Sequence, residues 1–154
     1  MPAPTQAAAP AAAPLSVADM RARFRDGKLA LLEHFRVSRP TTTSATQLMR
    51  GLARHVDATL TLLWQQSGMP AGAALLAVGG YGRGELFPYS DVDVLVLLPA
   101  GEAAAQAAQE AVPAFITACW DIGLEIGSSV RTVAECVAEA QRDVTSQTAM
   151  LESR

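Results

Sequence analysis

The residues in this sequence best suited to chemistry are two aspartates, Asp91 and Asp93, which lie two positions apart at the start of an apolar run. In an extended strand such residues leave the same face, so both carboxylates point one way while Val92 and Val94 point the other. Hard cations such as Mg²⁺ favour one or two carboxylates together with substrate phosphate oxygens and water. The arrangement therefore suits metal-dependent nucleotidyl transfer.

A glycine-rich turn precedes this pair by about ten residues. Gly79 and Gly80 follow a short apolar run, which predicts a buried strand that enters a tight turn. Backbone N–H groups without side chains can converge there on an anion, and a triphosphate would fit. Either motif alone is weak, because most glycine pairs are only turns and most Asp-x-Asp pairs are solvated. Together, in one strand-turn-strand unit, they are much more specific.

Two residues near these motifs each have two interpretations. Arg83 is a fixed cation that either pairs with a phosphate oxygen or holds the acidic cluster in place, and the sequence favours neither. Ser90 either donates a hydrogen bond to a phosphate or caps the turn into the strand, and the cap is favoured.

Hydrophobic spacing predicts the elements that carry these residues. Two helices come first, one over 17–36 that Gly27 interrupts and one that ends near Gln66. Strands follow at 74–78 and 91–98, then an Ala-rich helix over 102–120 that Pro113 kinks or restarts. A third strand at 124–131 precedes a last helix, which a Thr132 capping box opens. We divide the chain into a disordered Ala/Pro leader (1–14), N-terminal helices (15–70) and a truncated core (71–154). This order predicts a small α/β or α+β domain.

The composition narrows the possible partners. Half of the 154 residues are apolar, which allows one buried core, and the net charge of -3 disfavours a long nucleic-acid partner. No apolar stretch reaches the roughly 18 residues of a membrane span, and no secretory signal is evident, so we expect a soluble cytoplasmic protein. Cys119 and Cys136 are predicted to be buried thiols, Trp64 and Trp120 to pack in the core, and His55 to be a surface or satisfied core residue.

The segment 77–98, with its string Gly-Tyr-Gly-Arg-Gly-Glu-Leu, resembles the nucleotidyltransferase domain of the bacterial PII protein uridylyltransferases, also called uridylyl-removing enzymes. Segments 120–132 and 143–154 match the pattern of the same family, so the resemblance covers nearly everything after the leader. It implies a polymerase-beta-like fold, with a small mixed sheet flanked by helices. It also implies that the glycine turn receives UTP, that Asp91 and Asp93 hold Mg²⁺, and that UMP passes to a tyrosine of PII with release of pyrophosphate.

Enzymes of this fold often carry a third carboxylate on a neighbouring strand, and Glu125 is the best candidate for that metal ligand. Alternation places it on the face that Asp91 and Asp93 share if the strands pair, although a solvated strand face is favoured. Two departures from the family stand out. Ser128 occupies a position where the family usually has His, and the HD phosphohydrolase and ACT domains do not occur in these residues.

Two other functions remain open. One is a transferase of the same fold that acts on a small molecule, against which the Gly-Tyr-Gly-Arg-Gly-Glu-Leu string favours the PII enzyme. The other is a non-catalytic nucleotide-binding regulatory domain, although both aspartates are intact.

Overall fold

The computed structural model describes residues 15–154, so the leader predicted over 1–14 lies outside the described residues. The described residues form helices and strands in the mixed order expected of a small α/β (α+β) domain. They are α1 (Val17–Val37), α2 (Thr42–Gln66), β1 (Ala74–Ala77), α3 (Gly79–Gly82), β2 (Val92–Leu98), α4 (Glu102–Asp121), β3 (Ile126–Thr132), α5 (Val133–Arg142) and α6 (Val144–Leu151).

The first two helices pack closely because one of them carries a glycine at the crossing. α1 is continuous, so the interruption expected at Gly27 is wrong. A side chain at Gly27 would collide with the imidazole of His55 on α2. That ring stacks on Phe24 at 5.4 Å between centroids, and its Nε2 lies 2.8 Å from the Phe24 carbonyl oxygen. His55 is therefore a satisfied packing residue, as predicted.

The sheet is small and mixed, with the order β1-β2-β3. β1 runs antiparallel to β2, and β3 runs parallel to it. Val92, Val94 and Val96 of β2 are buried on one face, in hydrophobic clusters that include residues of α2 and α4. On the other face, Leu95 and Leu97 line a cavity together with residues of α5 and α6. The sheet is thus the middle of three layers.

The last part of the chain differs from the single helix expected there. Asp143 ends α5, and its side chain accepts hydrogen bonds from the N–H groups of Thr145 and Ser146, which starts α6. After α6, the N–H and the carbonyl of Arg154 each bond to Ala77, at 3.1 and 3.0 Å. This reciprocal pairing lies on the edge of β1 that β2 does not occupy, and it is the pattern of an antiparallel pair.

Side-chain predictions for α4 and its surroundings have mixed outcomes. α4 runs through Pro113 without a break. Cys119 and Cys136 are buried free thiols, as expected. Trp64 packs edge-on against Phe115, but Trp120 is 61% exposed, because it lies one position beyond Cys119 and off the buried stripe of α4.

Within residues 15–154, no helix is long and apolar enough to cross a membrane.

The α1–α2 crossing generates a stability prediction. Alanine in place of glycine inside a helix normally stabilises it by about 0.5–1 kcal/mol. Gly27→Ala should instead lower the free energy of unfolding by about 1–3 kcal/mol, because the added methyl group overpacks against His55. Urea denaturation followed by circular dichroism measures the change.

The control is the double variant with His55→Ala, in which the space for the methyl group is restored. The cost of Gly27→Ala should largely disappear in that background. An equal cost in both backgrounds would contradict the proposed contact.

Candidate active site

The pairing of β1 with β2 brings the glycine turn against one of the two aspartates. Just beyond β1, the N–H of Val78 donates to the carbonyl of Asp93 at 3.0 Å. Gly79 follows with φ of +60°, a left-handed conformation that glycine adopts without strain. A β-carbon built on Gly79 would lie 3.5 Å from Oδ2 of Asp93. The two motifs that the sequence presents separately therefore lie side by side.

The two aspartates affect each other electrostatically. Asp91 immediately precedes β2 and Asp93 lies within it, and both residues are exposed to solvent. The pKa of Asp93 is nevertheless raised, first because its carboxyl group is partly desolvated and second because the negative charge of Asp91 is nearby. A pair of carboxylates that repel each other in this way gains stability from a shared cation.

This donor set fits Mg²⁺ better than a metal that needs an all-protein cage. Among residues 15–154, no three His, Cys, Asp or Glu side chains come together as a metal-binding group. Asp91 and Asp93 therefore supply two carboxylates, the number that Mg²⁺ takes when phosphates and water complete its shell. Glu125 lies just before β3, where its carbonyl accepts from the N–H of Val92 at 3.3 Å. The structure does not bring Glu125 into a three-carboxylate cluster, and its role as a metal ligand stays a prediction.

Arg83 lies at the end of the glycine turn and pairs with two glutamates. Its Nε lies 3.2 Å from Glu85, and its Nη1 lies 2.6 Å from Glu152, which follows α6. These partners raise the pKa of Arg83. Arg83 thus holds acidic residues in place, although they are not the two aspartates. A contact of Arg83 with phosphate stays a prediction.

Ser90 lies in the loop that leads into β2. Its N–H donates to the carbonyl of Phe87 at 3.2 Å, so its backbone closes a turn. Its hydroxyl takes part in no hydrogen bond within the described part of the chain. Ser90 also lines a cavity of about 260 Å³ between α1, α2 and this loop, whose wall includes Lys28, Tyr89 and Glu125.

A second polar network, which no sequence pattern indicated, holds the glycine turn against α2. Tyr81 of α3 is buried, and its hydroxyl donates to Oδ1 of Asp57 on α2 at 2.5 Å. Both terminal nitrogens of Arg154 donate to the same carboxylate at 2.8 Å, and the guanidinium lies 5.0 Å from the centre of the Tyr81 ring. Burial and the neighbouring Asp57 raise the pKa of Tyr81. The turn is thereby joined to α2 and to the segment 152–154.

The segment 152–154 can approach the turn because Gly82 has no side chain. A β-carbon built on Gly82 would lie 2.6 Å from the carbonyl oxygen of Glu152 and 2.9 Å from that of Ala77. Nothing local in the sequence indicates this network, since its partners lie 24 to 97 positions apart.

Comparison with known proteins shows which family the chain resembles. Residues 62–135 match the family model described as a nucleotidyltransferase domain. That range runs from the end of α2 into α5 and contains the glycine turn and both aspartates.

Similar proteins from three Burkholderia species are each named bifunctional uridylyltransferase/uridylyl-removing enzyme. The chain is 51% identical to that of Burkholderia thailandensis over 143 residues, which is 93% of the chain and 16% of the relative. It is 53% identical to that of Burkholderia vietnamiensis and 52% identical to that of Burkholderia pseudomallei, each over 134 residues, or 87% of the chain and 15% of the relative. The chain thus spans about a sixth of the length of the curated relatives it matches.

The network of Tyr81, Asp57 and Arg154 generates a prediction for the Tyr81 hydroxyl. Tyr81→Phe should lower the free energy of unfolding by about 1–2 kcal/mol, because it removes a hydrogen bond to a charged acceptor. Chemical denaturation measures the loss. Tyr89→Phe is a matched control, since Tyr89 is 91% exposed and should tolerate the change. Equal stability of Tyr81→Phe and wild type would contradict the assigned contact.

The aspartate pair predicts a stability gain when its repulsion is removed. The folded state raises the pKa of Asp93, so the protonated form is favoured by folding and the ionised form opposes it at neutral pH. In metal-free buffer at pH 7, Asp93→Asn should therefore unfold at a higher denaturant concentration than wild type. The gain should shrink as the pH falls below about 4, where ordinary carboxyl groups become protonated.

Glu110→Gln provides the control for this measurement, because Glu110 is an exposed carboxylate on α4, away from the pair. It should change the midpoint little at any pH. A lower midpoint for Asp93→Asn at pH 7 would show that the ionised pair is not repulsive.

Proposed function

We propose that this chain transfers UMP from UTP to a tyrosine of the PII signalling protein. Residues 62–135 are a nucleotidyltransferase domain, and the chain is homologous to the N-terminal part of bifunctional uridylyltransferase/uridylyl-removing enzymes. The observation that supports this most is how closely the carboxylate of Asp93 approaches the glycine turn, where a β-carbon built on Gly79 would lie 3.5 Å from Oδ2. It brings together a backbone surface suited to phosphate and a side chain suited to a metal ion. The reaction would take place in the cytoplasm.

The proposed roles follow from the charges around the turn. Asp91 and Asp93 hold Mg²⁺, and the backbone at Gly79 and Gly80 orients the triphosphate. Two carboxylates facing a triphosphate would repel it without a cation between them, and Arg83 already has two glutamates as partners. When bound, Mg²⁺ supplies the positive charge that offsets the phosphate oxygens and the departing pyrophosphate. Transfer forms a bond between the tyrosine oxygen and the α-phosphorus, breaks the bond from that phosphorus to pyrophosphate, and releases the proton of the tyrosine hydroxyl.

The acceptor tyrosine belongs to PII in this proposal. Tyr81 is buried and its hydroxyl is hydrogen-bonded to Asp57, so it could accept UMP only if its side chain moved out of the core. The names of the relatives also include uridylyl removal. We assign only the transfer step to these residues, because they match about a sixth of those enzymes.

Radiolabel transfer from UTP tests the proposal. The full chain is incubated with Mg²⁺, UTP labelled at the α-phosphate and purified PII, and the label on PII is counted. Asp91→Asn and Asp93→Asn should each reduce labelling at least about 100-fold, because each removes charge that the reaction needs without changing side-chain size. Glu110→Gln is the control, because Glu110 is an exposed carboxylate on α4, and it should keep the activity. Glu125→Gln tests the third carboxylate: a loss like that of the aspartate variants would support a metal ligand, and retained activity a solvated residue.

Other outcomes would favour the alternatives. UTP binding without any labelling of PII would indicate a non-catalytic nucleotide-binding domain. Release of pyrophosphate with a small-molecule acceptor, unaffected by PII, would indicate a transferase of another substrate class. Undiminished labelling by Asp93→Asn would contradict the proposed role of the aspartate pair.

A further inference from the structure

A glycine in β3 lies directly beside the carboxylate of Asp93. The parallel register of β2 and β3 pairs Asp93 with Gly127. Paired residues on neighbouring strands point to the same face, so a side chain at position 127 would project toward Asp93. A β-carbon built there would lie 2.6 Å from Oδ1 of Asp93, which is much closer than a normal carbon–oxygen contact. The space beside this carboxylate therefore depends on the absence of a side chain at residue 127.

The backbone of Gly127 gives no other reason for a glycine. Its φ is not positive, so any L-residue can adopt its conformation. Glycine inside a strand weakens the strand, because it costs conformational entropy and has no side chain to pack. Within residues 15–154, the β-carbon built at Gly127 meets atoms of Asp93 alone within 4 Å. The one structural reason for a glycine here is thus the space that the Asp93 carboxylate occupies.

A second glycine lies on the opposite side of the same carboxylate. Gly79 approaches Oδ2 of Asp93, as a β-carbon there would lie 3.5 Å from that oxygen. The two oxygens of Asp93 therefore each face a residue without a side chain, one in the turn after β1 and one in β3. This leaves the carboxylate room in its present direction, on the face that it shares with Asp91.

We propose that Gly127 is a positioning residue, which keeps the Asp93 carboxylate directed toward the metal that Asp91 and Asp93 share. The inference rests on the proposed function and extends it to a residue outside both sequence motifs. The clashing atom, Oδ1, is the end of a rotatable side chain. An added methyl group would therefore turn the carboxylate away more readily than it would move the strand. Position 127 should thus affect metal binding more than folding.

Binding of Mn²⁺ to the full chain, measured by the relaxation of water protons, provides a test that needs neither UTP nor PII. Gly127→Ala should bind Mn²⁺ about 10- to 100-fold more weakly than wild type, the range expected when a group that orients a ligand is changed. Its unfolding midpoint in urea should stay close to that of wild type. Ser129→Ala is the matched control, because Ser129 is two residues further along the same face of β3 and pairs with Leu95.

The possible outcomes separate this inference from the proposed function. If wild type binds Mn²⁺ and Gly127→Ala binds it equally well, the positioning role is wrong while the aspartate site stands. If wild type binds no Mn²⁺, both the proposed metal site and the inference fail.

A folding defect in Gly127→Ala would be decided by a second pair of variants. If the defect comes from the Asp93 carboxylate, adding Gly127→Ala to Asp93→Ala should cause no further loss of midpoint. An equal loss in that background would place the clash elsewhere and overturn the proposal.

Discussion

The carboxylate of Asp93 lies where three separate parts of the chain meet. It is partly desolvated, it is repelled by Asp91, and it lies beside Gly79 of the turn after β1 and beside Gly127 of β3. A charge in this setting is unfavourable for folding by itself, so the surrounding structure must hold it there. The register of β2 with both neighbouring strands does so, because a shift of one residue in either pairing would place Asp93 on the opposite face.

The opposite side of the sheet stabilises that register. Val92, Val94 and Val96 alternate with the aspartate face, and all three are at most 3% exposed. They pack in hydrophobic clusters with residues of α2 and α4, so a slipped strand would expose them and bury polar groups. The two-residue period of the strand thus places the carboxylates on one face and the buried valines on the other. Hydrophobic burial and the geometry of the site are consequences of one alternation.

This explains which features could be predicted from the sequence. Helical spacing, capping boxes and period-two strands are local patterns, and they predict α1, α2, β2 and the start of α5 closely. The capping pattern of Asp143 with Ser146 is also local, and it marks a boundary between α5 and α6 that helical spacing alone does not predict. The position of Trp120, one residue off the buried stripe of α4, was recoverable from the spacing as well. The contact of Gly27 with His55, and the network of Asp57 with Tyr81 and Arg154, depend on how distant segments meet, which no local pattern reports.

The bonds that secure the glycine turn differ greatly in how far apart along the chain their partners lie. Tyr81 reaches back 24 positions to Asp57, whereas Arg83 reaches forward 69 positions to Glu152, and Arg154 lies 97 positions from Asp57. Contacts between distant positions carry a larger loop-closure entropy and form later in folding than contacts within a helical hairpin. The helices α1 and α2 can therefore pack early, while the glycine turn gains its last stabilising contacts only when segment 152–154 has docked. During synthesis on the ribosome, the turn would emerge well before the residues that make it rigid.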